Sequence, residues 1–405
     1  MSETKIQNLL VVGIDTVSIA NSAKKAGYKV YAADYFGDVD LRHACSGLKT
    51  IVKQNRGKSC GRIATKFKPS AFLKMAKSLL KEHKMDAILL SSGLDDHFDI
   101  LHRLNNLTSI LGNSPTVFER VRERPRIFEE LERLGIPCPQ TAIAKDVDEA
   151  KAAASRMGYP VVVKPDEGFG GIGVRIARNT KEMEKTFCEV SSVHVTVLVQ
   201  EFIDGINASI SFLATYRNSK VLAINEQVLG LPFVFPQGPF EYCGNITPLY
   251  LIDSVAEKCK NIVEKIALHF DLEGSNGIDV VISKEGKPYV VEVNPRFQST
   301  LECVERALGI NLVESHIEAC LHGIFPSIRE KPTTFCTRLI LHAPKRIAAP
   351  DLTVFQYIRD IPLSETIIEK GEPLCSIIAV GKNRNSSFQK AKELAKVIYD
   401  MVHPA

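Results

Sequence analysis

The sequence has no apolar run close to the roughly 20 residues that span a bilayer. Its opening M-S-E-T-K-I-Q-N lacks the apolar core of a secretion signal. No membrane association is expected, and a cytoplasmic protein is. Ten cysteines spread from Cys45 to Cys375 without one C-x-x-C pair, which argues against a zinc knuckle or a disulfide-stapled scaffold. Reduced, mostly buried thiols are expected, with Cys243 singled out because it lies in a Gly-rich loop. G-x-G-x-x-G is also missing after the first apolar run, where Gly13, Asp15 and Ser18 stand instead. A dinucleotide site is therefore not predicted, although residues 9–13, 17–26 and 28–33 predict a βαβ opening. Acids are nearly absent from residues 42–84, where twelve Lys or Arg accompany the single acid Glu82. Only Phe67 and Phe72 are aromatic there, too few to stack bases. A solvated basic face is expected, and nucleic acid is not expected as a partner.

What the sequence does hold is G-I-D-V-V-I-S-K-E-G-K-P-Y-V-V-E-V-N-P-R, residues 277–296. Two alternating apolar runs, 278–283 and 288–293, flank K-E-G-K, whose glycine and polar residues suit a tight hairpin turn. A reversal between Glu285 and Gly286 sets Asp279 opposite Glu292. Two carboxylates on one rung, roughly 4.5–5.5 Å apart at Cβ, repel each other unless a cation compensates them. Asn294, two residues beyond Glu292, adds a third oxygen on the same face, and Arg296 follows. Mg²⁺ takes one or two carboxylates together with phosphate oxygens, and an arginine beside them suits a transferring phosphoryl group. An exposed hairpin with scattered charges would carry the same residues, so the rest of the chain has to decide.

With 405 residues, 45% hydrophobic and 24% charged, the chain reads as a globular protein of roughly two to three domains. A helix over 70–83 and a strand over 87–90 lead into S-S-G-L-D-D-H. Residues 91–96, at a strand's carboxyl end, are placed to line a cleft. Helices are predicted over 124–134 and 147–157. The next strand delivers Lys164 to D-E-G-F-G-G-I-G-V, where Gly168, Gly170, Gly171 and Gly173 crowd together. A Walker A loop would lead into a helix and end in G-K-S/T. This loop leads into a strand, and its backbone N–H groups suit a lid over phosphates. Residues 195–202 read as a strand whose Glu201 suits a ribose hydroxyl, and 229–248 as a substrate-covering loop. A helix over 254–270 precedes the hairpin. Helix 301–322, broken at Gly309, a linker over 325–333, strands 335–342 and 374–381, and a helix over 388–401 complete the chain.

Together, K-P-D-E-G-F-G-G-I-G-V, Q-E-F-I-D-G and V-E-V-N-P-R-F resemble the ATP-grasp superfamily over nearly the whole chain. Among its subgroups, Q-E-F-I-D-G-I-N-A-S-I-S-F-L and Y-C-G-N-I-T-P look most like poorly characterised microbial carboligases, with the pyrrolysine-pathway ligase more distant. The resemblance implies an α/β fold: a Rossmann-like pre-domain (1–113), a two-lobed ATP-grasp domain (114–325) and a small β-rich C-terminal subdomain (326–405). It implies that Arg124 and Lys164 hold phosphates under a lid containing Gly170 and Gly171, and that Gln200, Glu201, Phe202 and Ile203 form the adenine hinge. Asp279, Glu292 and Asn294 match the metal ligands. Arg296 matches the arginine that acts on the activated acyl group, with Lys164 as the second catalytic residue. Arginine at 124 stands where many members have lysine, and keeps the charge. The implied cofactors are ATP and Mg²⁺ or Mn²⁺, and the implied partners are a small-molecule carboxylate and an amine, with a homodimer left open. The implied activity is a ligase that forms an acyl phosphate and then an amide. A bicarbonate-dependent carboxylase, a ligase adding an amino acid to a one-carbon carrier, and an ATP-binding sensor or scaffold are the alternatives.

Overall fold

The computed structural model describes residues 6–62, 67–166, 168, 170–191, 196–329 and 331–404. Four parallel strands, Asn8–Gly13, Lys29–Asp34, Gly47–Thr50 and Ala87–Leu90, form the first sheet in the order third, second, first, fourth. Their cores are short apolar runs, as a parallel sheet covered on both faces demands. Leu9, Val11 and Leu89 pack with Ala20 and Ala23 of the helix Val17–Lys25, while Leu10, Val12 and Ile88 pack with Phe72 and Leu79 of the helix Pro69–Glu82. Gly13 closes the first strand where any side chain would meet Ser91 Cβ at 2.6 Å. Asp15 and residues 91–96 thereby gather at the carboxyl edge of this sheet.

The second sheet joins Thr141–Ala144, Val197–Glu201, Val161–Pro165 and Arg175–Ala177, all antiparallel. The helix Val147–Met157 starts at Asp146, whose carboxylate accepts the Asp148 and Glu149 N–H groups. With the helix Thr180–Ser191 it covers the sheet through Ala150, Ala154, Met183 and Phe187. The first residue of the strand expected over 195–202 lies outside the described residues. From Glu201 the chain crosses through 202–204 into the third sheet at Gly205.

The third sheet has eight antiparallel strands, ordered Pro288–Asn294, Gly274–Ser283, Gly205–Ala214, Ser219–Leu229, Tyr242–Thr247, Phe335–His342, Pro373–Gly381 and Ile358–Arg359. The C-terminal strands thus continue the sheet that carries the hairpin. Ala208, Ile210, Phe212, Ile278, Val280 and Val290 pack against Cys259, Ile262, Val263 and Ile266 of the helix Asp253–His269. Those helix positions recur every three or four residues, as one apolar stripe requires. Truncating the fully buried Ile266 to alanine would cost about 2–5 kcal/mol. Alternate strand positions, Ser209, Ser211, Asn225, Gln227 and Asp279, are polar and belong to the opposite face.

Residues 229–248 are not one loop. Pro232–Val234 is a single 3-10 turn, and Tyr242–Thr247 pairs with strands on both sides. Gly244 is a close-approach site, where a Cβ would meet Arg338 O at 1.9 Å. The helix expected over 124–134 spans Arg126–Arg133 and is preceded by another, Pro115–Arg122. The last helix begins at Arg384, earlier than expected, because Asn383 and Ser386 form a reciprocal cap. Among the described residues no helix is long and apolar enough to cross a membrane.

Candidate active site

The hairpin turns about Glu285 rather than between Glu285 and Gly286. Ile282 pairs with Pro288 and Val280 with Val290, and the turn is closed by Gly286 N–H to Ser283 O at 2.9 Å with Gly286 at φ 70°. This is a three-residue turn whose last position favours glycine. Val291 is then an extra residue, and beyond that bulge Asp279 pairs with Glu292 and Gly277 with Asn294. The bulge builds the site. Val290 and Val293 both reach the apolar core, which turns Glu292 and Asn294 to the face of Asp279. An unbulged strand would carry Glu292 and Asn294 to the same side as Val290, into the core.

Glu292 Oε1 accepts from Arg122 Nη1 at 2.5 Å and from Arg124 Nη2 at 2.9 Å. Arg122 also grips Asp96 with two bonds, Nε to Oδ1 at 2.7 Å and Nη2 to Oδ2 at 2.9 Å. Burial opposes the charge of Glu292, but Arg122, Arg124, Lys164 and Arg296 overcome it and hold the carboxyl down at about 2. Asp279 is moved the other way. Burial and then the charge of Glu292 push it up to about 7, against the pull of Arg296. Its oxygens accept from Gln227 Nε2 at 2.9 Å and Asn294 Nδ2 at 3.2 Å. Lys164 is drawn down to about 8 by burial and then by Arg124, and its Nζ donates to Gln200 Oε1 at 2.9 Å.

The donor set Asp279, Glu292 and Asn294 is all oxygen, as a hard divalent cation requires. The raised proton affinity of Asp279 marks a carboxylate short of positive charge, which a cation would supply. Among the described residues no group of three His, Cys, Asp or Glu could hold a metal. The protein's third ligand would therefore be the amide oxygen of Asn294, which here accepts from Arg296 Nη2 at 3.3 Å.

Gln200 is buried and anchored by donating Nε2 to Thr141 Oγ1 at 2.8 Å. Glu201 Oε2 accepts from the Gln140 N–H at 3.1 Å. Phe202 and Ile203, half-buried, lie on the crossing between the second and third sheets. Gly170 O accepts from the Tyr242 N–H at 2.9 Å, and a Cβ on Gly171 would meet Phe240 O at 2.0 Å. The glycine loop and the 229–248 segment, each expected to cover the site, are thus laid against one another. Glu167 and Phe169 of that loop lie outside the described residues.

Arg296 is turned toward the first sheet. Its Nε donates to Asp95 at 2.6 Å and its Nη1 to Phe297 O at 2.9 Å. With Asp15, Ser91, Ser92, Gln298 and Ser299 it lines a small cleft. Residues 91–96 therefore reach the site twice, through this cleft and through the carboxylates of Asp95 and Asp96. Arg122, Gln227 and Arg338 had not been singled out from the sequence. Arg338 is 2% exposed and reaches the same region through Asp15 Oδ2 at 3.0 Å and Ser299 O at 3.2 Å.

Residues 122–300 match the ATP-grasp domain family. Over 401 residues the chain is 26% identical to an uncharacterised protein of Methanocaldococcus jannaschii, covering 96% of this chain and 92% of that one. It is 29% identical over 220 residues to the carbamoyl phosphate synthase large chain of Pyrococcus furiosus, covering 53% of this chain and 20% of that much longer one. The biotin carboxylase domain of Hydrogenobacter thermophilus 2-oxoglutarate carboxylase, a dimer in complex with MgADP, ADP and bicarbonate, has a TM-score of 0.74 at 18% identity, with 100% and 91% of the chains covered. An L-amino acid ligase from Bacillus licheniformis has a TM-score of 0.70 at 18% identity, with 99% of each chain covered. At these identities the solved structures establish the fold. The domain match encloses Arg122, Arg124, Lys164, Asp279 and Glu292, and marks residues 122–300 as an ATP-grasp domain.

Proposed function

We propose that this chain is an ATP-dependent carboxylate–amine ligase. The observation that carries this reading is the division of charge about one hairpin. Arg122, Arg124 and Lys164 surround the Asp279–Glu292 rung, while Arg296, two residues past Asn294, faces a separate cleft. The first group suits the phosphates of ATP and the second a carboxylate awaiting transfer.

In this reading Arg124 and Lys164 hold the outer phosphates, Gln200 to Ile203 hold the adenine end, and Gly170 and Gly171 lie in the cover. Asp279, Glu292 and Asn294 would hold Mg²⁺ or Mn²⁺, which supplies Lewis-acid neutralisation of phosphate oxygens. Arg296 orients the substrate carboxylate in line with the terminal phosphorus. A carboxylate oxygen bonds to that phosphorus as the bridging P–O bond breaks, and ADP leaves. An amine nitrogen then bonds to the acyl carbon and loses one proton, and phosphate departs with the C–O electron pair. The contact between the glycine loop and residues 240–242 supports water exclusion, which an acyl phosphate needs.

Three units, 1–113, 114–325 and 326–405, belong to the same reading, with the third sheet shared by the latter two. A cytoplasmic setting is supported by ten unpaired cysteines, and the dimeric carboxylase domain supports a homodimer. The bicarbonate in that domain's complex also favours a second reading, in which bicarbonate is the carboxylate. ADP and phosphate release from ATP, assayed against pools of amino acids, coenzyme precursors and bicarbonate with products identified by mass, separates the two. An amide product is expected. A carboxylated product supports the second reading, and AMP with pyrophosphate contradicts both.

A further inference from the structure

On the polar face of the third sheet, side chains from three strands are bonded in series. Tyr242 Oη donates to Asn245 Oδ1 at 3.0 Å, Asn245 Nδ2 to Thr247 Oγ1 at 2.9 Å, and Thr247 Oγ1 to Asn225 Oδ1 at 2.7 Å. Asn225 Nδ2 donates in turn to Ser211 Oγ at 3.0 Å, and Ser211 Oγ to Gln298 Oε1 at 3.1 Å. Asn225, Asn245 and Thr247 are fully buried. One backbone group fixes the direction of the series. Asn225 Nδ2 also donates to Ser209 O at 3.1 Å, a carbonyl that can only accept. The Oδ1 of Asn225 therefore faces Thr247, whose hydroxyl must donate to it and must accept from Asn245. Every donor points the same way, from Tyr242 to Gln298, and bonds so aligned polarise one another.

The two ends of the series belong to different parts of the site. Tyr242 donates its N–H to Gly170 O, and beside it Phe240 O leaves no room for a side chain on Gly171. The pairing of Tyr242 with Leu229 lies beyond a register shift between Val228 and Leu229, so a movement of the glycine loop reaches Tyr242 before the regular ladder resists it. Gln298 lines the cleft with Arg296 and lies over Gly277, the partner of Asn294, where a Cβ would meet Gln298 Nε2 at 1.3 Å. Ser211, just before Gln298 in the series, has two settings. Its one proton can go to Gln298 or to Thr300 Oγ1 at 3.0 Å, and only the first holds the Gln298 carboxamide. We propose that this series couples the glycine loop to Gln298, so that a nucleotide closing the loop sets the placement of Gln298 beside Arg296. The inference rests on the ligase reading above and deepens it, because the Arg296 end of the site is then readied by filling of the phosphate end. Thr247 and Asn225 are positioning residues, acting through Tyr242 and Gln298.

The test is hydrogen–deuterium exchange of the full chain, read by mass spectrometry with and without MgADP. Gln298 O accepts the Leu301 N–H at 3.1 Å, so the placement of Gln298 is read in 297–301. In the wild-type protein MgADP is expected to slow exchange at least tenfold both in the glycine loop, 170–175, and in 297–301. Thr247→Val, which keeps the volume and removes the hydroxyl, is expected to keep the protection of the loop and to lose that of 297–301. Thr247→Ser keeps the hydroxyl and should protect both. A packing role predicts the reverse order, because serine lacks the methyl group that valine retains. Where Thr247→Val does not fold, Tyr242→Phe, which removes the first donor of the series, decides by the same comparison. The proposal is overturned if MgADP protects the loop but not 297–301 in the wild-type protein, if protection of 297–301 survives in the variant, or if Thr247→Ser behaves as Thr247→Val. Failure of MgADP to protect the loop of the wild-type protein strikes the ligase reading instead, so the two failures are distinct.

Discussion

Asp279 and Glu292 face each other across one rung of a hairpin and are driven to opposite ends of the carboxylate range, about 7 for the first and about 2 for the second. Burial raises both, and placement separates them. Arg122 and Arg124 both reach Glu292, while Asp279 receives only the amide donors of Gln227 and Asn294. The rung therefore keeps a proton on Asp279 near pH 6, and a divalent cation would have to displace it. Titration of Mg-ADP at pH 6 in two buffers of different ionisation enthalpy should show release approaching one proton, shrinking as pH rises past 7. Equal heats in the two buffers at pH 6 would remove Asp279 from the metal set.

Replacing Glu292 with Gln should abolish ATP turnover. From the sequence alone, loss of this charge promised only relief of repulsion. With two arginines on it, one of them 3% exposed at the side chain, the same change also strips a buried cation of its counter-charge. Stability should fall by about 2 kcal/mol. Urea unfolding beside a phosphate-release assay measures both, and unchanged turnover would sink the site assignment.

Lys164 begins to lose its proton near pH 8, earlier than an ordinary lysine, because of burial and the neighbouring Arg124. Phosphate contact needs the ammonium form, so ATP affinity should fall roughly tenfold between pH 7 and pH 9. Lys164→Arg should abolish that pH dependence, since guanidinium stays charged. Lys164→Ala should weaken ATP far more than AMP. Equal losses for the two nucleotides would contradict an outer-phosphate role.

His316 ties the end of the first sheet's unit to the hairpin strand. Its Nδ1 accepts the Ser275 N–H at 2.7 Å, so Nε2 carries the proton toward Leu111 O at 3.1 Å. Burial lowers its pKa to about 4, below the value of about 6.5 in an unfolded chain. The folded protein thus binds this proton less readily than the unfolded one. Its contribution is whole above pH 6.5 and lost as pH falls toward 4, to the order of 3 kcal/mol. The drop in unfolding free energy from pH 7 to pH 4.5 should be smaller in His316→Gln than in the wild-type protein; an equal drop would place the effect elsewhere.

The chemistry of the hairpin was legible because period-two alternation alone sets Asp279, Glu292 and Asn294 on related positions. Its bulge was not, since Val290 and Val291 are both apolar and either could have been the extra residue. In E-R-V-R-E-R-P-R the four arginines alternate identically. What separates them is the end of the helix at Arg122, with Glu123 extended at ψ 107°, which turns Arg122 and Arg124 inward. Arg120 goes instead to Asp271 at 2.9 Å and Arg126 to Glu130 at 3.1 Å. Gln227 and Arg338 come from strands whose order in the sheet is a long-range property. The basic stretch 42–84 is not wholly a solvated face, because Arg62 is buried on Asp38 at 2.9 Å and stacked over Phe36 at 4.5 Å.

The proposed reaction passes through an acyl phosphate, and hydroxylamine traps one directly. The protein, Mg-ATP, hydroxylamine and pools of small carboxylic acids should yield a hydroxamate in step with ADP. In Arg296→Ala, Mg-ATP should still bind at equilibrium while hydroxamate formation falls by about 10²–10³ in kcat. ADP formed without hydroxamate from any pool, or loss of ATP binding with a normal chemical step in Arg296→Ala, would contradict the mechanism.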